Sequence, residues 1–141
     1  MYLIAAVLGW LLGSLAKIPV YYLTDPKYAK ENGPIKIFFN TGGMPSGHSA
    51  TVVALSTYTL LADGLWSVTF AIAAIFAVVV MTDAVNVRRA TGENGLAIQK
   101  ILLSLKQKNI AVPHYARGHT PTEVAAGGVI GVLAGLIVWL I

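Results

Sequence analysis

The sequence predicts an all-α integral membrane helical bundle, with about four transmembrane helices plus one interfacial amphipathic helix. Three observations carry this. Apolar residues make up 56% of the chain and charged residues 11%, against about 45–50% and about 25% in soluble domains. Mean hydropathy is +0.70. The charges are also clustered, and they leave four long runs without Asp, Glu, Lys or Arg. Those runs show no period of two, which points to helices, since only helices and closed barrels can pair every backbone group in lipid. The 141 residues fit one membrane-embedded domain over 1–141.

The elements follow in order. Tyr2 to Ala16 is uncharged, Lys17 interrupts, and Ile18 to Leu23 continues the run. This first span lacks the basic start of a cleavable signal peptide, so it reads as a retained helix. Residues 24–45 mix Pro, Gly, Asn and Lys and read as an irregular loop. Gly47 to Ala62 forms the second span, in which only His48 titrates, and Leu65 to Thr82 forms the third. Within 94–108, Leu96, Ile98, Ile101, Leu102 and Leu105 alternate with Lys100, Lys106 and Lys108, the pattern of an amphipathic helix at the membrane surface. Val124 to Ile141 is the fourth span. With their flanks, all four reach or approach the ~20 residues that cross ~30 Å of hydrocarbon, ~17 being the lower limit. Gly9 and Gly13, and Gly127, Gly131 and Gly135, recur every four residues. Such spacing serves close helix packing inside one bundle or, alternatively, a homodimer face.

Composition also excludes function classes. Without cysteine there is no disulfide scaffold, thiolate metal site or thiol nucleophile. The net charge of +4 reads as topology and anionic-lipid contact, not as nucleic-acid binding. All ten Lys and Arg lie between Lys17 and Lys36 or between Arg88 and Arg117, while the 61–66 turn carries only Asp63. The positive-inside rule then places both long loops in the cytoplasm and both termini outside, with Trp66 and Trp139 at the outer interface.

The polar residues that a membrane chain should avoid gather at the cytoplasmic ends. Spans two and four start there, at Gly43-Met44-Pro45-Ser46-Gly47-His48-Ser49 and His119-Thr120-Pro121-Thr122-Glu123. Ser46 is the expected N-cap of the first. Thr120, Pro121 and Glu123 compose a capping box with proline at the first helical position. Two helix N-termini thus offer unpaired amides and positive dipole ends, and Lys17, Arg88 and Arg89 arrive beside them. That combination suits a phosphate. Two histidines, His48 and His119, suit phosphoryl transfer, one attacking phosphorus and the other protonating the leaving oxygen. Asp83 reads as an ion-pair partner of Arg88 or Arg89, and His114 as a solvated loop residue.

Met44-Pro45-Ser46-Gly47-His48-Ser49-Ala50 resembles the second signature of the type-2 phosphatidic acid phosphatases and vanadium haloperoxidases, and Gly118-His119-Thr120-Pro121-Thr122-Glu123-Val124 resembles the third. Thr82-Asp83-Ala84-Val85-Asn86-Val87-Arg88-Arg89 and Ala16-Lys17-Ile18-Pro19 resemble the divergent, small membrane branch of that superfamily. The resemblance implies a phosphohistidine formed on His119, protonation of the leaving group by His48, and orientation of His119 by Glu123 in place of the family's aspartate. It implies phosphate contacts from Lys17, Ser46, Gly47 and Arg88 or Arg89, and no metal or other cofactor. Where the first signature has Arg-Pro, Thr24 and Asp25 stand here, so Lys36 or Arg117 would have to replace that cation. The function implied is metal-independent hydrolysis of a lipid phosphate monoester or pyrophosphate, with membrane lipids as surroundings and the 94–108 helix guiding the lipid in. The alternative is a non-catalytic lipid-phosphate binder or translocator using the same cations.

Overall fold

The computed structural model describes residues 1–40, 42–105, 110 and 118–141. The regular structure there is helical throughout: α1 (Tyr2–Thr24), α2 (Pro26–Phe38), α3 (Gly47–Asp63), α4 (Val68–Val85), α5 (Val87–Ser104) and α6 (Pro121–Leu140). The stretches Tyr2–Thr24, Val68–Ser104 and Pro121–Leu140 are long and apolar enough to cross a membrane. α3 has 17 residues, about 25 Å at 1.5 Å per residue. It is the central helix, packed by α1, α4 and α6, so its neighbours rather than lipid meet most of its surface.

Local chemistry sets the helix boundaries. Ser46 caps α3 and Ser67 caps α4, each side chain accepting from the amide three residues on. α3 stops at Gly64, whose φ of 90° suits a residue without Cβ. α6 opens with the full capping box of Thr120 and Glu123 and with Pro121 in its first turn.

Two expectations need correction. Residues 24–45 are not an irregular loop throughout, because α2 occupies Pro26–Phe38. Asp25 caps it by accepting from Tyr28 N–H at 3.1 Å, and Pro26 opens it. The helix breaks at Gly33 (φ 70°, ψ 168°) before Pro34, and this break hides its period in the sequence. The amphipathic helix starts at Val87 rather than at 94, separated from α4 only by Asn86, and residues 106–108 lie outside the described residues. Among the described helices it packs against α4 alone. It therefore stands away from the α1, α2 and α3 side of the bundle, and Leu96, Ile98 and Ile101 remain exposed.

The core is built from small residues. A Cβ on Gly9 would lie 2.6 Å from Ala54 Cβ, one on Gly131 would lie 2.7 Å from Ala50 O, and one on Gly135 2.7 Å from Thr57 Cβ. Both glycine stripes therefore hold α1 and α6 against α3 at near-backbone distance, the within-bundle reading of their spacing. Large side chains such as Leu3, Ile72, Ile75, Val79 and Val129 point outward, where lipid tails solvate them as well as a core would. At the end remote from the histidines, Asp63 accepts from Tyr2 Oη and Thr69 Oγ1, both at 2.5 Å, and so ties α1, α3 and α4 together.

Candidate functional site

The two histidines are brought together by a backbone tie between two helix starts. Ser46, the N-cap of α3, donates its N–H to the carbonyl of Glu123 in the first turn of α6 at 2.9 Å. The short segment before α6 is fixed in turn to the end of α4, with His119 N–H donating to Ala84 O at 3.0 Å. The rings of His48 and His119 consequently lie 6.1 Å apart, at 62°.

His119 is 1% exposed. Its Nδ1 lies 3.0 Å from Glu123 Oε2, which also accepts from Thr120 N–H at 3.1 Å. A carboxylate can only accept, so Nδ1 carries the proton and Nε2 the lone pair. Among the described residues, Nε2 of His119 is the buried side-chain polar atom without a hydrogen-bond partner. An orphaned buried nitrogen is costly unless something visits it. Burial pushes the His119 imidazole below the ordinary histidine range, against the pull of Glu123, and the charges of Lys17 and Arg88 push the same way as burial. The shift favours the neutral ring, whose Nε2 has no hydrogen-bond partner among the described residues.

The cations are not equivalent. Lys17, 3% exposed, donates from Nζ to Asn40 O at 2.5 Å. It also borders the start of α3: a Cβ on Gly47 would be 3.9 Å from Nζ. Arg88 Nε donates to Asp83 Oδ2 at 2.7 Å, while its charge still reaches both imidazoles. Arg89 instead donates to Glu93 Oε1 at 3.0 Å, one turn along α5. Of the two adjacent arginines, Arg88 is the one whose charge acts on both imidazoles. Lys36 is exposed in the last turn of α2. Arg117 and His114 lie outside the described residues. Ser46 Oγ is occupied by accepting from Ser49 N–H at 3.3 Å and Ser49 Oγ at 3.0 Å. The amides of Gly47 and His48, in the first turn, have no intrahelical acceptor.

A cavity of about 150 Å³ opens beside these groups between α1, α2 and α3. Its floor is polar, formed by Ser14, Lys17, Asn40, Gly47, His48 and Thr51, and its rim is aromatic, formed by Trp10, Phe38 and Phe39. Sequence reasoning passed over Trp10 and Ser14. Their spacing to Lys17, at i, i+4 and i+7, sets all three on one helix face, which is the signal that could have found them. Asn40 was missed with α2. Its amide Nδ2 donates to Tyr21 Oη at 2.9 Å and Tyr28 Oη at 3.3 Å, so it pins the end of α2 to α1 while its carbonyl holds Lys17.

Residues 1–134 match the Divergent PAP2 family. The chain is 34% identical to "Uncharacterized membrane protein YuiD" of Bacillus subtilis (strain 168), over 96% of this chain and 91% of the relative. No solved structure matches it. With the family matched over almost its whole length, and with both histidine blocks at converging helix starts, the chain belongs to the divergent PAP2 family of membrane proteins.

Proposed function

We propose that this chain hydrolyses a lipid phosphate monoester or pyrophosphate, without a metal, through a phosphohistidine on His119. The observation that carries the reading is the buried His119, with Nδ1 held by Glu123 and Nε2 unpartnered beside His48. In the first step the Nε2 lone pair attacks phosphorus and the bond to the leaving oxygen breaks. His48, entering protonated, gives its proton to that oxygen, and the alcohol, or from a pyrophosphate the lipid monophosphate, departs. Glu123 then balances the positive charge of the phosphorylated imidazole. In the second step water attacks phosphorus, His48 takes its proton, and the P–N bond breaks to release phosphate and neutral His119. Lys17, Arg88 and the amides of Gly47 and His48 would stabilise the charge on the phosphoryl oxygens. The positive-inside asymmetry supports a cytoplasmic position for this site.

A second reading, a lipid-phosphate binder or translocator, is favoured by one observation: Lys17 and Arg88 already have internal partners in Asn40 and Asp83. Phosphate release from a panel of lipid phosphates in detergent with EDTA separates the two, comparing wild type with His119→Ala. Release by the wild type alone, blocked by vanadate, supports hydrolysis. No release from a folded wild type, with lipid phosphate still bound, supports the binder.

A further inference from the structure

The cavity beside the histidines has a direction. His48 lines it and His119 does not. In phosphoryl transfer the attacking and leaving oxygens or nitrogens stand roughly in line, so the leaving group must sit on the side of phosphorus away from His119. The space on the far side, next to the group that would protonate the leaving oxygen, is this cavity. Its volume, about 150 Å³, falls below the roughly 300–1,000 Å³ that enclose a whole drug-sized ligand. A headgroup fits, and the remainder of a larger leaving alcohol must lie outside.

The surroundings define what lies outside. Phe38 and Phe39 belong both to the cavity rim and to an outer groove completed by Ile18, Pro34 and Ile35. Ile35 is 76% exposed and Phe39 67%, in a chain whose outward apolar side chains face lipid. The path from Lys17 outward therefore changes from charged to aromatic to wholly apolar over one turn of α2.

We infer that the opening bounded by Trp10, Phe38 and Phe39 is a lateral mouth through which a membrane-embedded lipid monophosphate enters from the bilayer, its hydrocarbon chain lying in the groove over α2. This assigns Trp10, Phe38 and Phe39 as specificity residues for the apolar alcohol and moves lipid entry from α5 to α2. It rests on the phosphatase reading for its direction, but the mouth can be tested without turnover.

The test uses the full chain with Trp66→Phe and Trp139→Phe, so that Trp10 is the only indole, reconstituted in vesicles. Phosphatidic acid with brominated tails, a monoester, is compared with brominated phosphatidylglycerol, a diester, at equal mole fraction. Charge-assisted bonds from Lys17 and the α3 amides to a monoester favour it by about tenfold in apparent affinity, so Trp10 is quenched selectively by phosphatidic acid. Equal quenching by both lipids overturns the mouth. In the turnover arm, Phe39→Ala lowers kcat/KM for long-chain phosphatidic acid about tenfold more than it lowers kcat/KM for glycerol 3-phosphate. An equal fall for both substrates overturns the assignment. Selective quenching without phosphate release from any substrate would sink hydrolysis and keep the mouth, whereas release without selective quenching would do the reverse.

Discussion

Replacing Glu123 by Gln probes the site at its most constrained point. The carboxylate accepts from His119 Nδ1 at 3.0 Å and from Thr120 N–H at 3.1 Å, and a glutamine oxygen can accept both. Shape and cap are kept, and only the charge is lost. A hydrogen bond to a charged group contributes about 1.5–3 kcal/mol and a neutral one about 0.5–1.5. The imidazole is 1% exposed, so solvent does not screen the difference, about 1–1.5 kcal/mol. That difference bears on the step in which His119 becomes cationic and amounts to about tenfold in kcat. The pH profile moves as well. Attack needs the neutral ring, so the acidic limb follows His119 protonation, which burial already holds below the ordinary range while Glu123 pulls upward. Without the carboxylate the upward pull is gone, and the limb moves to lower pH. Steady-state phosphate release across pH, with imidazole nitrogen NMR of His119, reads both effects. An unchanged kcat, or a limb that moves to higher pH, would refute the reasoning.

Three further predictions follow from packing and charge. Gly131→Leu forces a side chain against Ala50 O and Val53 Cβ, both 2.7 Å from the modest position of a Cβ alone; it should destabilise the α3–α6 contact by at least the ~1–3 kcal/mol of core overpacking, seen as a lower Tm in detergent. Arg88→Ala should reduce turnover and weaken vanadate inhibition while Arg89→Ala changes neither, because Arg88 reaches both imidazoles and Arg89 pairs with Glu93; equal losses in the two variants would count against that placement. Asp63→Ala should lower the Tm by freeing Tyr2 and Thr69 yet leave kcat unaltered, since it lies at the far end of the bundle; a fall in kcat with the fold retained would show coupling between the two ends.

Much of this was legible from local chemistry. The spans are apolar runs, and membrane helices need little more. The capping box at Thr120 and Glu123 is a local pattern, and the pairing of Asp83 with Arg88 spans little more than one turn. What escaped was long-range or masked by helix breakers. The Asp25-Pro26 start of α2 is a helix signal, but Gly33 and Pro34 cut the element short of a readable period. The choice between Arg88 and Arg89 depends on which way the chain turns after Asn86, where ψ is −69°. The glycine stripes fit two kinds of partner equally well in sequence, and only tertiary contact with Ala50, Ala54 and Thr57 assigns them to α3.

The most direct test of the central claim is to trap the intermediate. The wild-type chain is mixed briefly with a lipid phosphate labelled in its phosphoryl group, quenched in alkali, and mapped by mass spectrometry. An alkali-stable, acid-labile phosphoryl group is expected on His119, absent from a folded His119→Ala variant. Continued phosphate release with no label on His119, or label on another residue, would contradict it.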